Sequence, residues 1–309
     1  MNATSELPPP ARTARRRDDF SSLRCPVCKG RLAGGAELRC AACNLSFPVV
    51  GGVPVMLPKS QMADGEQDLQ AERKFYEDMF AGVKGVEDGH CIVYGHDKIY
   101  DYVSEVERGT MLEAGCGGGH HGVALTRRGF DVTAVDLTLN GVAIAKRLAE
   151  HEKQDILYVC GDIKRLPFED NAFDICFASL VLHHFISLDN LLAELARVTR
   201  KHFIAFEVNA WDPMTYVRFN VLNPTIGYES ISKNQRALFP ETIVKILVRN
   251  GFSPDVDVRY ESMHDNIGKA PDSLKSAAIR AYHGALGMLP AKFSANKFLL
   301  RATKTSAGR

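Results

Sequence analysis

The chain has 309 residues, 45% of them apolar, and its 38 basic and 37 acidic side chains leave a net charge of +1. This apolar content is enough for a large buried core, so disorder is excluded for most of the length. The near-neutral charge excludes a basic coat for nucleic acid over the whole surface, and no apolar run is long enough to predict a membrane span.

The first 22 residues contain three consecutive prolines at 8–10 and three consecutive arginines at 15–17, without an apolar stretch. This composition predicts a disordered tail over 1–22 and no secretory signal, so we expect a cytoplasmic protein. In a reducing cytosol scattered cysteines are typical of buried thiols, whereas clustered cysteines indicate a metal site. The scattered cysteines are Cys91, Cys116, Cys160 and Cys176.

Two Cys-x2-Cys pairs follow the tail: Cys25 with Cys28, and Cys40 with Cys43. Four thiolates suit a tetrahedral zinc ion and leave no coordination position open, so the pattern predicts a structural site rather than a catalytic one. A module this small cannot fold on its core alone, and metal binding would supply the folding energy. We therefore predict a zinc ribbon over 23–58, followed by a polar linker over 59–68.

The remainder, 69–309, reads as one α/β domain. Apolar and aromatic side chains at helical spacing predict a helical entry segment over 69–107. Strands are then predicted at 110–114, 131–135, 156–160, 173–182 and 202–208, with helical segments between most of them. This alternation predicts β-α-β units and a parallel sheet that is buried on both faces.

A glycine-rich loop follows the first strand of this domain and opens a helix. Gly115, Gly117 and Gly119 allow a sharp turn and a close approach of the backbone to a ligand. Asp136 ends the next strand, 19 residues after Gly117, where a carboxylate can accept hydrogen bonds from both hydroxyls of a ribose. The loop and this carboxylate together predict a nucleoside-binding edge of the sheet.

Two further acidic residues restrict the kinds of ligand that this edge could bind. Asp162 ends the third strand and can accept a hydrogen bond from an adenine amino group, with Ile163 flanking the ring. Glu113 lies at the glycine loop itself, where its charge would repel a pyrophosphate, and no lysine follows as in a P-loop. The pattern therefore favours a ligand that carries a cationic sulfonium or ammonium group.

This order of motifs resembles class I S-adenosylmethionine-dependent methyltransferases over roughly residues 75–309. The resemblance implies S-adenosylmethionine as cofactor and a Rossmann-like, seven-stranded sheet whose last strand is antiparallel, with the final strands at 257–261 and 297–303. It also implies that Tyr76 folds over the cofactor, although Tyr76 could equally be a core residue of its helix. The segment 25–58 resembles small zinc-ribbon activator proteins that partner methyltransferases, and the zinc finger of certain ribosomal-RNA guanine methyltransferases.

Catalytic candidates follow the fourth strand, because ligands bind at the carboxyl ends of strands in such sheets. Ser179, late in this strand, is assigned to the cofactor site, and His183 and His184 come next. Either histidine could remove a proton from a hydroxyl acceptor, although methyl transfer needs no dedicated base. Alternatively, the pair caps the following helix or packs below the site. Glu207, Asn209 and Trp211, at the end of the fifth strand, are candidates for an acceptor-pocket wall.

Three functions remain open at this point. A small-molecule methyltransferase is favoured by an acidic middle region, where 10 basic and 13 acidic residues over 111–208 give −3, and by an insertion near 209–240 that could cover an acceptor. An RNA methyltransferase would use the ribbon and the first 58 residues, whose 8 basic and 4 acidic residues give +4, to grip RNA. A non-catalytic partner protein is disfavoured by the intact glycine and acidic residues. The oligomeric state is left open.

Overall fold

The computed structural model describes residues 19–58, 67–83, 96–226, 234–262 and 289–306. Most of the predicted tail and linker, Cys91, and part of the predicted insertion near 209–240 lie outside the described residues. Within the described residues no helix has the length and apolar character needed to cross a membrane.

The N-terminal part forms a small antiparallel sheet. Its strands are β1 (Glu37–Cys40), β2 (Leu45–Val50) and β3 (Val53–Pro54), in that spatial order. Gly51 and Gly52 both adopt positive φ, which permits the tight turn from β2 to β3. The four clustered cysteines lie on the turns and strands of this sheet.

Seven strands form the main sheet, in the spatial order β6-β5-β4-β7-β8-β10-β9. They are β4 (Thr110–Ala114), β5 (Asp131–Asp136), β6 (Leu157–Cys160), β7 (Phe173–Ser179), β8 (Thr199–Val208), β9 (Asp257–Glu261) and β10 (Lys297–Thr303). The first five run parallel, whereas β10 is antiparallel to both of its neighbours. The predicted Rossmann-like, seven-stranded fold is thus confirmed. Its strand order reverses between β4 and β7, which is where such sheets open a ligand crevice.

Helices cover both faces of the sheet. They are α1 (Gln67–Ala81), α2 (His96–Val103), α3 (His120–Arg127), α4 (Leu139–His151), α5 (Asp189–Val198), α6 (Pro213–Tyr216), α7 (Asn223–Ile226), α8 (Pro240–Arg249) and α9 (Ala291–Ser294). A 3-10 turn (Leu182–His184) follows β7, and a π-helical segment (Val217–Leu222) joins α6 to α7. The strand predicted over 173–182 ends at Ser179, because Leu180 adopts a positive φ of 51° and turns the chain into the 3-10 helix.

The small sheet packs directly onto the main one. Val55 forms a parallel bridge with Cys160, and the Met56 N–H donates to the Cys160 carbonyl at 2.7 Å. This pairing covers the β6 edge, where unpaired backbone groups would otherwise remain. Phe47 and Met56 also belong to the same buried apolar cluster as residues of the main domain. The ribbon and the methyltransferase-like sheet therefore share a hydrophobic core.

Two basic residues of the ribbon, Arg24 and Lys29, make further hydrogen bonds and ion pairs with the main domain. The Arg24 N–H donates to the Pro167 carbonyl at 2.8 Å, and its guanidinium pairs with Glu169 at 2.8 Å. Lys29 Nζ donates to the Leu166 carbonyl at 2.9 Å and pairs with Glu194 at 3.0 Å. Both contacts hold the segment that follows β6, which contains two of the predicted cofactor residues.

Candidate cofactor site and candidate metal centre

The glycine-rich loop folds as a tight turn between β4 and α3. Gly115, Gly117 and Gly119 all adopt positive φ, at 77°, 47° and 82°. A Cβ atom at Gly115 would collide with the side chain of Val181, and one at Gly119 would lie 2.5 Å from the Cβ atom of Ala145. Glycine is required here by backbone conformation and by close packing at once.

Asp136 lies against this loop at the end of β5. Its Oδ2 atom accepts a hydrogen bond from the Gly117 N–H at 2.9 Å. Its Oδ1 atom accepts from the Thr138 N–H at 2.9 Å and from the Thr138 hydroxyl at 2.7 Å. The carboxylate is thereby fixed at the crevice edge, with its two oxygens held by the loop and by the start of α4.

Asp162 and Ile163 follow β6 on the neighbouring side of the same edge. Both are buried, each with 5% of its surface exposed. Asp162 Oδ1 accepts from the Lys164 N–H at 2.9 Å, which closes a turn around the carboxylate. The structure thus brings the ends of β4, β5 and β6 together, with Glu113, Asp136 and Asp162 among them.

Ser179 ends β7 on the other side of the loop and bonds to a histidine of α3. Its Oγ atom lies 3.0 Å from His121 Nε2, and His121 Nδ1 lies 3.2 Å from the Tyr100 hydroxyl. This chain of hydrogen bonds joins the end of β7 to α2.

The helix α1 covers the loop from outside. Phe80 Cζ would lie 3.5 Å from a Cβ atom at Gly117, so its ring stands over the loop. Glu77 accepts from the Leu139 N–H at 2.8 Å and from the Asn140 N–H at 3.1 Å, and so caps the first turn of α4. Sequence reasoning missed both roles, because neither residue belongs to a motif and the docking of α1 joins segments far apart in the chain.

Tyr76, on the same helix, contacts Gln235 and His184. Its hydroxyl accepts from Gln235 Nε2 at 3.0 Å and lies 3.4 Å from His184 Nε2. The two rings meet edge to face, with their centroids 5.3 Å apart. Burial, and then the negative charge of Glu72, raise the pKa of Tyr76, which therefore stays protonated and can donate or accept.

The two histidines after β7 have different partners. His183 Nδ1 lies 2.7 Å from Glu207 Oε2 in a buried pair, with 8% of the histidine side chain and none of the glutamate side chain exposed. His184 has a neighbour at each ring nitrogen, since Nδ1 lies 3.4 Å from Glu72 Oε2 and Nε2 lies 3.4 Å from the Tyr76 hydroxyl. His183 therefore contacts the sheet, whereas His184 contacts α1.

The three residues predicted to form an acceptor-pocket wall contact different parts of the structure. Asn209 donates to the carbonyls of Lys292 and Ala295, at 2.9 and 2.7 Å, and Trp211 Nε1 donates to Glu241 at 2.9 Å. These bonds tie the end of β8 to α8 and α9, so Asn209 and Trp211 have packing partners of their own. Glu207 instead lies beneath His183.

Glu113 is a buried carboxyl group next to the glycine loop. It has 1% of its surface exposed, and within the described residues its oxygens have no good hydrogen bond beyond the approach of the Gly122 N–H. Burial, and then the negative charge of Asp136, raise the pKa of Glu113 to about 8, against a smaller lowering by the Gly122 N–H. A buried carboxyl group without a partner costs stability, and a cation bound above it would offset that cost.

Glu113→Gln is expected to raise the stability of the ligand-free protein, by about 2–4 kcal/mol at pH 8. The folded protein keeps a proton that the unfolded chain releases above the ordinary pKa of 4.5. The contribution of Glu113 to wild-type stability therefore decreases as the pH rises from 4.5 to about 8. The glutamine variant does not titrate there, so it lacks this decrease. Thermal unfolding at pH 5, 7 and 8 measures the difference.

The matched control is Glu150→Gln, which changes a partly exposed carboxylate paired with Lys146 at the end of α4. Its effect should not grow with pH. Equal melting temperatures for wild type and Glu113→Gln at every pH would contradict the assignment of a proton to Glu113.

The four clustered cysteines form one compact group of thiols. Their Sγ atoms all lie within 4.8 Å of one another, with 3.9 Å between Cys25 and Cys43 and 3.5 Å between Cys28 and Cys40. Tetrahedral zinc with Zn–S bonds of about 2.3 Å would separate its ligands by about 3.8 Å. The donor set and its spacing therefore fit a zinc ion.

Two family models match the chain. Residues 112–205 match the methyltransferase domain, and residues 22–52 match the Trm112p-like proteins. Malonyl-[acyl-carrier protein] O-methyltransferase of Serratia marcescens is 44% identical over 91 residues, which are 29% of this chain and 34% of that protein. A putative 23S rRNA (guanine-N(1)-)-methyltransferase, YxjB of Bacillus subtilis, is 26% identical over 191 residues, 56% of this chain and 61% of the relative. The chain thus spans less than two thirds of either relative.

Solved structures share the fold. Magnesium protoporphyrin IX methyltransferase of Synechocystis PCC 6803 with bound SAH has a TM-score of 0.52 at 16% identity, covering 77% of this chain and 100% of that one. The [4+2]-cyclase SpnF has a TM-score of 0.54 at 19% identity, covering 77% and 97%. The sheet order and these structures show the class I methyltransferase fold. More particularly, residues 112–205 match the methyltransferase domain and the preceding ribbon matches the Trm112p-like proteins, as the sequence resemblance predicted.

Proposed function

We propose that this protein transfers a methyl group from S-adenosylmethionine to a small-molecule acceptor. The observation that carries the proposal is the buried Glu113 carboxyl group beneath a glycine loop whose Gly117 N–H donates to Asp136. Such an edge suits a ligand with a positive group next to a ribose. When bound, S-adenosylmethionine supplies an electrophilic methyl group on a sulfonium.

Each predicted cofactor residue has a role in this proposal. Asp136 would accept hydrogen bonds from the ribose hydroxyls, Asp162 would accept from the adenine amino group, and Ile163 would flank the ring. Glu113 would face the cationic end, and Ser179 would line the site from β7. Gly115 and Gly117 let the backbone approach the ligand closely. Tyr76 would close the site from α1, with Phe80 beside it.

A compact acceptor would bind between α1 and the segment after β7. The Tyr76 hydroxyl lies 3.4 Å from His184 Nε2 there, and Phe219 of the π-helical segment has its ring centroid 6.3 Å from that of His183. The relative from Serratia marcescens is named for an O-methyl transfer, which supports an acceptor other than a nucleic-acid base.

We further propose that Cys25, Cys28, Cys40 and Cys43 bind a structural zinc ion, and that the protein works in the cytoplasm. The thiol spacing and the fully sulfur donor set support the metal. The ribbon would then hold the segment after β6 through Lys29 and Arg24. Zinc would thereby support the cofactor site without touching the reacting groups.

RNA methylation is the second candidate, and the longer alignment with the relative YxjB favours it. The ribbon would have to offer its basic side chains to a phosphate backbone. Within the described ribbon, however, Arg24 is paired with Glu169 and Lys29 with Glu194. Two cations of the ribbon are therefore used to dock it onto its own domain, which supports the small-molecule proposal.

Asp136→Asn is expected to weaken S-adenosylmethionine binding about 100-fold, because one acceptor for the ribose hydroxyls is replaced by a donor and the charge at the loop is lost. Isothermal titration calorimetry of both proteins measures the change in Kd. Asp131→Asn is the matched control, since Asp131 starts the same strand at its opposite end and should leave Kd unchanged. Unaltered binding by the Asp136 variant would refute the ribose assignment.

A further inference from the structure

His183 and Glu207 form a dyad with the geometry of an oriented base. Glu207 is fully buried, and its Oε1 atom accepts from the Val181 N–H at 2.8 Å and from the Leu182 N–H at 2.6 Å. Its Oε2 atom meets His183 Nδ1 at 2.7 Å. Two backbone N–H groups thus hold one oxygen of this carboxylate, and the other oxygen is placed to accept a proton carried on Nδ1.

This arrangement fixes which ring nitrogen of His183 is basic. With Nδ1 carrying the proton toward Glu207, the lone pair of the neutral ring is on Nε2. Nε2 has no hydrogen-bond partner within the described part of the chain, and 8% of the side-chain surface is accessible. His184 differs, because both of its ring nitrogens face protein groups. Of the two histidines, His183 is the one with a nitrogen left for a substrate.

The dyad also lies at the cofactor edge. Val181, two residues before His183, packs against the glycine loop where a Cβ atom at Gly115 would stand. The segment 181–184 therefore carries the loop contact on its first residue and the His183 ring two residues later. A group that binds to Nε2 would be held by the same segment that contacts the loop we assign to the cofactor.

The surroundings of His183 favour its neutral form. Burial, and then the charge of His184, lower the pKa of His183, and Lys297 acts in the same sense, whereas Glu207 opposes them. A neutral imidazole can accept a proton at pH 7. The same surroundings disfavour a second cation, so an ammonium acceptor would bind poorly beside Nε2.

We propose that His183 is the general base, that Glu207 is its positioning residue, and that the acceptor is a hydroxyl compound. This inference rests on the proposed function and names its substrate class. The hydroxyl proton passes to His183 Nε2 while the oxygen lone pair forms the new bond to the methyl carbon. The carbon–sulfur bond breaks, and its electron pair stays on sulfur as a neutral thioether. A carboxylate acceptor, already ionised at pH 7, has no such proton to lose.

The first test reads the tautomer of His183 without any cofactor. In protein labelled with 15N-histidine, long-range 15N–1H spectra assign His183 by the signals missing from His183→Ala. We expect the Nδ1–H form in the wild type. In Glu207→Gln the amide oxygen can still accept from the Val181 and Leu182 N–H groups, so its NH2 group turns to Nδ1 and stabilises the Nε2–H form. Glu72→Gln, beside His184, should leave His183 in the Nδ1–H form. An Nε2–H tautomer in the wild type overturns the proposal.

The second test identifies the product bond. The wild type reacts with methyl-labelled S-adenosylmethionine and the small-molecule fraction of a cell extract. A methyl ether keeps its label in mild alkali and releases methyl iodide in hot hydriodic acid, whereas a methyl ester releases methanol in alkali. Ether supports the proposal, and an ester or an acid-resistant N- or C-methyl group overturns it. Glu207→Gln should lower the rate about 100-fold or more, and imidazole should partly rescue His183→Ala.

Failure of the proposed methyl transfer and failure of the base assignment to His183 give different experimental results. If the protein neither binds S-adenosylmethionine nor transfers label, the proposed function is wrong, and the tautomer spectra still decide whether Glu207 orients His183. If binding and transfer are normal but Glu207→Gln reacts at the wild-type rate, the base assignment alone is wrong.

Discussion

Gly119→Ala is expected to lower the free energy of unfolding by about 3 kcal/mol and to abolish cofactor binding. Gly119 adopts a φ of 82°, in the left-handed region that costs an alanine about 1 kcal/mol or more. Its new Cβ atom would lie 2.5 Å from the Cβ atom of Ala145 and 2.9 Å from the Cα atom. Because the obstacle includes the backbone of α4, no side-chain rotation relieves it.

Gly35→Ala supplies the matched control for this experiment. A Cβ atom at Gly35 meets no heavy atom within 4 Å, so we expect a change within about 0.5 kcal/mol. Thermal and urea unfolding of both variants measure the stabilities, and calorimetry measures binding. Wild-type stability in Gly119→Ala would mean that the loop does not have the conformation described for β4 to α3.

Cys40→Ser, or removal of zinc by a chelator, is expected to lower the melting temperature of the whole protein by about 10 °C or more. The reason is the shared core: Phe47 and Met56 are buried with residues of the main domain, and Met56 pairs with the edge strand β6. Without metal the ribbon loses its folding energy, so that edge and the segment carrying Asp162 lose their cover.

Metal content separates this explanation from general damage. Elemental analysis should find about one zinc per chain in the wild type and none in Cys40→Ser. Cys176→Ala removes a buried thiol of β7 outside the cluster and should keep the metal. If the purified wild type holds no metal and chelators leave its melting temperature unchanged, the ribbon does not depend on zinc.

Much of the fold could be predicted because its signals are local. Apolar strands alternate with amphipathic helices, and the glycine pattern predicts the turn after β4. Asp136 ends its strand and Asp162 lies two residues after its own, so the parallel topology alone brings them to one edge. The four-cysteine pattern likewise predicted a cluster of thiols from spacing alone.

What could not be predicted depends on contacts between distant segments. Met56 and Cys160 pair across more than a hundred residues, and nothing in either segment specifies that register. Glu207 stood out only as a polar residue at the end of a strand, because its partner His183 lies in the loop after another strand. The early end of β7 at Ser179 depends on the positive φ of Leu180, which apolar patterning does not reveal.

The central claim is methyl transfer to a small molecule, and the fate of a labelled methyl group tests it most directly. Zinc-loaded protein would be mixed with methyl-labelled S-adenosylmethionine and an extract of cells that lack this protein. RNA, protein and small molecules would then be separated and counted. We predict that the label enters the small-molecule fraction and that Asp136→Asn reduces the transfer. Label in the RNA fraction, or no transfer to any fraction, would contradict the account.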